Sequence, residues 1–367
     1  MLKKRVFAII LLVCSVFIFS GCFDYEEMNK LMLITAIGID IEDEYYKVSV
    51  QVVQSKGGTK ENTVTMSVKT AKGKTMTDAA IEIQHLFSEP IYLQHVKMVV
   101  ISREIAEKRL DELKKFTVFI GSFFDFNIVV AGNSTALEVI KAGSSDETLN
   151  TMEASEVINL NTIAAIPPSF KGYELVSGKK DFVLPQLEIY LNEDDNQNNS
   201  EKKSKNVIRY NGGTVVSDTK AVSVIEKEEC TGLLLTAGRV SECKITTQEG
   251  ESITVISNDV KINLLKDDSV NVEVDLKIDG DVSSIESVEK KLSETVQNTL
   301  EKLYFDYKCD ALSLFDKYNA FYNGKYKDVK DFKDNIKNLK FDCKVKITEH
   351  SNRNVTEEGE SSNESTD

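Results

Sequence analysis

The chemistry written most plainly in this chain belongs to one thiol. Cys22 follows Phe19-Ser20-Gly21, at the end of a segment that opens with Lys3, Lys4 and Arg5 and continues as an unbroken apolar run from Val6 to Phe19. A basic start, an apolar centre and small residues before a cut make a secretory signal. With a cysteine directly after Ser20-Gly21, the site resembles a bacterial lipobox, with Phe19 standing where Leu is usual. Cys22 is then expected to become the first mature residue and to carry a thioether-linked diacylglycerol and an N-acyl chain such as palmitate. The competing account is a membrane span. The run of 14 residues is about 21 Å long as a helix at ~1.5 Å per residue. A bilayer core is roughly 30 Å thick and takes about 20 residues. Polar Asp24, Glu26 and Glu27 follow at once, which favours the cleaved signal. Each buried CH₂ contributes ~0.8 kcal/mol to anchoring, so the two or three chains on Cys22 hold firmly.

Other reactive constellations are weak. The three histidines, His85, His95 and His350, share no metal-ligand spacing on one element. Asp194-x-Asn196-x-Asn198 begins like a calcium loop but has Asn199 where Gly belongs and Lys205 where Glu belongs. Ser177-Gly178-Lys179-Lys180 fits S-x-x-K without the companion motifs of that enzyme class. Gly132-Asn133-Ser134-Thr135-Ala136 follows a strand as a nucleophile elbow does, yet a helix-capping role for Asn133 or Ser134 explains it more simply. There is no G-x-G-x-x-G, no P-loop and no tryptophan. The sequence is read as non-enzymatic, with no cofactor and no metal site. Four cysteines remain beyond Cys14 and Cys22: Cys230, Cys243, Cys309 and Cys343. They could form two disulfides in three pairings. Cys243 and Cys343 fall on the apolar sides of expected strands, where a free thiol packs as a small hydrophobe. Both accounts stand at this point.

The elements that would position these groups follow from periodicity. Leu33–Asp40 reads as a buried strand. Tyr46, Val48, Val50 and Val52 alternate with polar residues, and after the turn at Lys56-Gly57-Gly58 so do Val64, Met66 and Val68, which gives a three-strand meander. A helix capped by Thr75, with Asp78 three residues on, carries Met76, Ala79, Ala80, Ile83, Leu86 and Phe87 on one face and stops at Pro90. Val96–Ser102 is a buried strand. Ile105, Ala106, Arg109, Leu110 and Leu113 mark a helix, Asn127–Ala131 a strand, and Ser134–Lys141 a short helix. This order favours α/β layering. Residues 144–190 are less regular. Asn192–Lys205 has no apolar residue and reads as a linker. Beyond it, Val207–Tyr210 and Thr214–Ser217 read as separate strands around a Gly212-Gly213 turn, followed by Ala221–Ile225, Cys243–Thr247, Ile253–Lys261 and Val270–Ile278. A long amphipathic helix runs from about Ile285 to Tyr307, a second starts near Asp310, and a third spans Val329–Asn338. An alternating strand at Phe341–Ile347 closes the fold.

The expected class is therefore α/β and α+β, a multi-domain chain of β-sheets packed with helices after a cleaved signal peptide. Residues 1–21 are the signal. Residues 22–191 form an N-terminal α/β region, and 192–205 a polar linker. Residues 206–350 form a C-terminal α+β domain with an antiparallel sheet, and 351–367 a disordered acidic tail. The chain has a formal charge of −14; residues 1–21 hold three cations and no anion, so the remainder stands at −17. Such a balance argues against nucleic acid, which calls for a basic face.

In order and spacing these segments resemble the Ger(x)C family, the lipoprotein C subunits of spore germinant receptors. Cys22-Phe23-Asp24 stands where the family has Cys-Trp-Asp, and Glu27-Met28-Asn29 fits its Glu-hydrophobic-Asn. Ile34-Thr35-Ala36-Ile37-Gly38-Ile39-Asp40 is similar to its glycine–hydrophobic–Asp first strand. Ala71-Lys72-Gly73-Lys74-Thr75 through Ala79-Ala80 resembles its small-residue turn and helix. Ile91 to Ile101, with His95 before Val96, resembles its hallmark strand. Phe182-Val183-Leu184-Pro185 and Glu228-Glu229-Cys230-Thr231-Gly232-Leu233-Leu234-Leu235 are similar to later segments. The similarity covers residues 19–347; Phe23 and the lack of C-terminal tryptophans depart from the pattern. The resemblance implies a non-enzymatic subunit, lipid-anchored at Cys22 on the outer face of the inner spore membrane. Its partners would be an A subunit and a transporter-like B subunit, in a complex that senses nutrients and triggers germination. It also implies three α/β-type domains, the N-terminal region splitting in two. For His95 a structural hydrogen bond is expected. The alternative from another class is a solute-binding lipoprotein of a membrane importer, which needs two similar lobes around a cleft. A cell-envelope hydrolase is disfavoured by the missing motifs.

Overall fold

The computed structural model describes residues 32–56, 63–89, 91–121, 124–144, 150–164, 166–193, 204–238, 240–246, 252–280, 282 and 284–351. The signal segment, Cys22, the tether, the turn at Gly57-Gly58, Pro90, the centre of the polar linker and all of the tail beyond Ser351 lie outside them.

Two sheets, each packed with helices, organise the chain. The first begins as expected, with β1 (Met32–Glu42), β2 (Tyr45–Lys56) and β3 (Thr63–Gly73) in an antiparallel meander. The sheet then turns parallel through β5 (Met98–Ile101), β6 (Asn127–Ala131) and β7 (Phe182–Glu193), and a two-residue strand β4 (Ile91–Tyr92) pairs beside β1 at Met32. Parallel neighbours need crossovers, and here helices cover both faces. Helices α1 (Met76–Gln84), α2 (Arg103–Lys108), α3 (Leu110–Ile120) and α6 (Gly172–Ser177) bury one set of alternating side chains, Ile37, Ile39, Val99, Ile101, Ile128 and Val130. Helices α4 (Ala136–Ala142) and α5 (Thr151–Leu160) bury the other, Ala36, Met98, Val100, Val129 and Ala131.

This double cover explains a departure in β2. Ser49 and Gln51, which alternation places on a solvent face, are fully buried. Gln51 is satisfied inside the protein: its Nε2 donates to Gly143 O at 3.1 Å and Ser144 Oγ at 2.7 Å, and its Oε1 accepts from Thr35 Oγ1 at 2.7 Å. Local chemistry corrects other boundaries. The helix expected through Arg109 is two, broken at that residue. Thr135, not Asn133 or Ser134, caps α4 in a reciprocal box with Glu138. Residues 144–190 hold α5, capped by Asn150, and α6.

Strand order is least legible at the middle of the chain. The 192–205 boundary lies within a strand pair: β7 and β8 (Ser204–Ser217) run antiparallel from Phe182↔Val216 out to Glu193↔Ser204. With β9 (Lys220–Ile225), β8 therefore completes the first sheet instead of opening a separate one. Gly212-Gly213 does not turn the chain. Gly212 sits at φ 75° inside β8, where an added Cβ would lie 2.4 Å from Ile225 O, so a glycine bulge continues the strand.

The second sheet has the order β10 (Ser241–Thr246), β11 (Ser252–Leu264), β12 (Ser269–Asp279), β13 (Lys340–Ser351). It is mixed, not antiparallel: β13 runs parallel to β12, from Ser269↔Lys340 to Asp279↔Ser351. Three helices separate β12 from β13 and make the crossover that a parallel pair requires. They are α8 (Ile285–Glu301, ending in a π turn Lys302–Asp306), α9 (Leu314–Phe321) and α10 (Val329–Asn335). Of the expected α8 stripe, Val288, Leu292, Val296, Leu300, Leu303 and Tyr304 are buried, while Ile285 is exposed. One core joins this sheet, α8 and α7 (Lys227–Leu235) to Val183, Val215 and Ile225 of the first sheet.

Candidate functional site

Cys22, the residue with the clearest chemistry in the sequence, lies outside the described residues. The remaining candidates are dispersed. His85 is exposed beside Glu82, 3.6 Å away. His95 occupies an exposed 3₁₀ turn, its ring 5.4 Å from that of Tyr92, an aromatic contact where a hydrogen bond was expected. His350 extends β13. Ser177 Oγ donates to Glu174 O at 2.7 Å and Lys179 pairs with Glu174 at 3.2 Å, so the S-x-x-K match is the C-terminal turn of α6. Asn133 bridges to β7 by donating to Ile189 O and accepting from Ile189 N, both at 3.0 Å. Among the described residues no cluster of His, Cys, Asp or Glu could hold a metal ion.

The glycine–hydrophobic–Asp strand has a clear structural use. Asp40 is buried at the end of β1 and accepts from Ala136 N at 2.8 Å and Leu137 N at 2.9 Å, the first two N–H groups of α4. These groups have no partner within the helix, and its dipole favours negative charge there. Burial nonetheless outweighs the two bonds and raises the Asp40 pKa above its ordinary value. Gly38 makes the approach possible, because a Cβ there would lie 3.1 Å from Ile140 Cγ1 and 3.2 Å from Ala136 O.

A polar cluster among the described residues was not legible as a motif. It joins the two sheets where β7 begins, β8 ends and α10 arrives. Lys333 of α10 is buried and donates to Asp181 Oδ1 at 2.8 Å and to Ser217 Oγ at 3.0 Å, and its Nζ lies 3.1 Å from Asp218 Oδ2. Asp181 Oδ1 also accepts from Asp218 N at 2.8 Å, and Ser217 Oγ donates to Lys308 O at 2.8 Å. Beside them the Cys309 thiol donates to Val216 O at 3.3 Å. Asp310 then accepts from Tyr304 Oη at 2.7 Å, Leu314 N at 2.6 Å and Phe315 N at 2.9 Å, which starts α9.

Electrostatics mark this joint as structural. Burial, followed by the carboxylates of Asp181 and Asp310, holds the Cys309 thiol far above its ordinary pKa. It is a thiol at neutral pH, and a thiol is a poor nucleophile. Burial likewise raises Asp310 and Tyr304. All four described cysteines are free and buried, which resolves the open choice against disulfides. Burial pushes Cys243 up to about 11 and Cys343 up to about 12.

Comparison with known proteins adds what geometry leaves open. Residues 24–189 match the family model described as "Spore germination protein N-terminal domain", and residues 211–350 match "Spore germination B3/ GerAC like, C-terminal". Spore germination protein KC of Bacillus subtilis (strain 168) is 22% identical, over 90% of this chain and 91% of its own length. Spore germination protein B3 of the same organism is also 22% identical, over 89% of this chain and 93% of its own. No solved structure matches.

Proposed function

Since this chain belongs to the GerAC-like family of spore germination proteins, we propose that it acts as the lipid-anchored C subunit of a nutrient germinant receptor. The observation that carries this is the succession of two germination-family matches along the chain, with relatives aligned over nine-tenths of its length. The first match starts at residue 24, two residues after Cys22. Cleavage before Cys22 and its lipidation would place the protein on the extracytoplasmic face of the inner spore membrane. From Cys22 to the start of β1 at Met32 is ten residues, which span at most about 35 Å fully extended. The Met32 end of the first sheet, with Ile91 and Tyr92 paired beside it, would therefore stand close to the bilayer. There it would meet an A subunit and a transporter-like B subunit.

A scaffold role, not catalysis, fits how the described groups are employed. Asp40 starts a helix, Asp310 starts another, and Lys333 with Asp181 joins the two sheets. The importer alternative requires two similar lobes, and among the described residues one sheet has nine strands against four in the other. The test is deletion of the gene in a strain without a paralogue. Nutrient-triggered germination slows while vegetative growth is unchanged; germination at the normal rate would contradict the receptor role.

A further inference from the structure

A pocket of about 420 Å³ opens between α7, β10, α8 and residues 163–164. Volumes of a few hundred Å³ are those of small-molecule sites. Its apolar wall is made by Ala164, Ile245 of β10, and Val288 and Leu292 of α8, all buried or nearly so. Two contacts tie its walls together: Ile163 bridges to the backbone of Lys244, and Thr231 Oγ1 donates to Ala164 O at 2.8 Å.

The rim has a charge opposite to that of the chain. Among the described residues Lys227, Lys244 and Lys291 line it together with a single carboxylate, Glu228. Glu228 pairs with Lys291 at 3.4 Å, while Lys227 and Lys244 form no ion pair among the described residues. Two cations with no ion-pair partner among the described residues therefore face an apolar pocket in a protein of charge −14. Cations beside a low-dielectric wall attract an anion more strongly than they do in open water.

We propose that this pocket binds a small organic monoanion with an apolar body, its carboxylate against Lys227 and Lys244 and its body against Val288 and Leu292. The site is independent of the receptor assignment, and its test does not use germination.

The test is calorimetric titration of the full chain in lipid nanodiscs with 4-phenylbutyrate, 4-phenylbutylamine and 4-phenylbutanol, with empty nanodiscs as the blank. The acid binds, the amine does not, and the alcohol binds more weakly than the acid. Raising the salt weakens the acid alone. The double variant K227E/K244E changes two exposed side chains, keeps the wild-type circular dichroism spectrum, and loses at least about tenfold in affinity for the acid. Leu292→Trp, which fills the pocket, weakens acid and alcohol together. Equal binding of acid and alcohol, unchanged affinity in K227E/K244E, or no binding of the acid would each overturn the proposal.

Discussion

Gln297 of α8 holds the outer edge of β13 with both ends of its amide: Nε2 donates to Phe341 O at 3.0 Å, and Oε1 accepts from Cys343 N at 3.2 Å. The pattern continues one helical turn at a time. Ser293 Oγ accepts from Val345 N at 2.9 Å, and Glu289 Oε1 accepts from Ile347 N at 2.7 Å. Four helical residues rise ~6.0 Å and two strand residues ~6.6 Å, so side chains at i, i+4 and i+8 can follow alternate N–H groups of a strand. An edge strand that would otherwise pair with another chain is covered by a helix.

Removing that cover should therefore cost stability and solubility together. Gln297→Ala leaves a part-buried N–H and C=O without partners, a loss of about 1–3 kcal/mol. The double variant S293A/Q297A should in addition self-associate. Urea unfolding and sedimentation velocity check both effects, and a double variant that stays monomeric and as stable as wild type would contradict the edge-cover role.

Asp40 sets a pH dependence whose sign follows from its raised pKa. The native state keeps this proton to a higher pH than the unfolded chain does. The residue's contribution to stability is thus greatest at acid pH and falls as pH rises from about 3.9 through the folded value. Asp40→Asn should flatten that descent. At neutral pH it should also lower stability by about 1–3 kcal/mol, because its NH₂ group faces a helix N–H that the carboxylate had satisfied. Denaturation midpoints measured across the acid range distinguish the two effects.

Lys333 and Asp181 are 152 residues apart in sequence and 2.8 Å apart in space. Lys333→Met should cost about 3–5 kcal/mol, since it leaves the buried Asp181 carboxylate without its cation. Asp181→Leu combined with Lys333→Met should recover part of that loss, because an apolar pair of similar size leaves no uncompensated charge. A thermodynamic cycle over the four proteins gives the coupling, and simple additivity would contradict direct contact.

Much of the first sheet was legible because each signal was local. Thr75 with Asp78 marks the start of α1, and the run at Asn127–Ala131 is a strand from end to end. What stayed hidden depended on partners distant in sequence. Glu289, Ser293 and Gln297 look like a solvated helix flank until β13 lies beside them. Gln51 looks like the wet side of a strand until α4 and α5 cover it. Gly212-Gly213 has the composition of a turn, and only pairing with β7 and β9 keeps it inside β8. Lys333 is one lysine among many. The proposed anchor at Cys22 is the reverse case, since a processing signal is read as a linear segment.

The cysteines offer a direct check of packing. Cys230, Cys243, Cys309 and Cys343 should resist iodoacetamide in the native protein, because burial both hides them and raises their pKa values. All four should be alkylated in denaturant without prior reduction, as read by peptide mass spectrometry. Protection in denaturant that reductant relieves would reveal a disulfide instead.

The central claim is that a lipid on Cys22 holds this germination protein to its membrane. The measurement that tests it most directly is fractionation of spores in which Cys22→Ala is the sole copy of the chain. The account predicts wild-type protein in the inner-membrane fraction and the variant in the soluble fraction, with nutrient-triggered germination slowed. Retention of Cys22→Ala on the membrane at the wild-type level would contradict it.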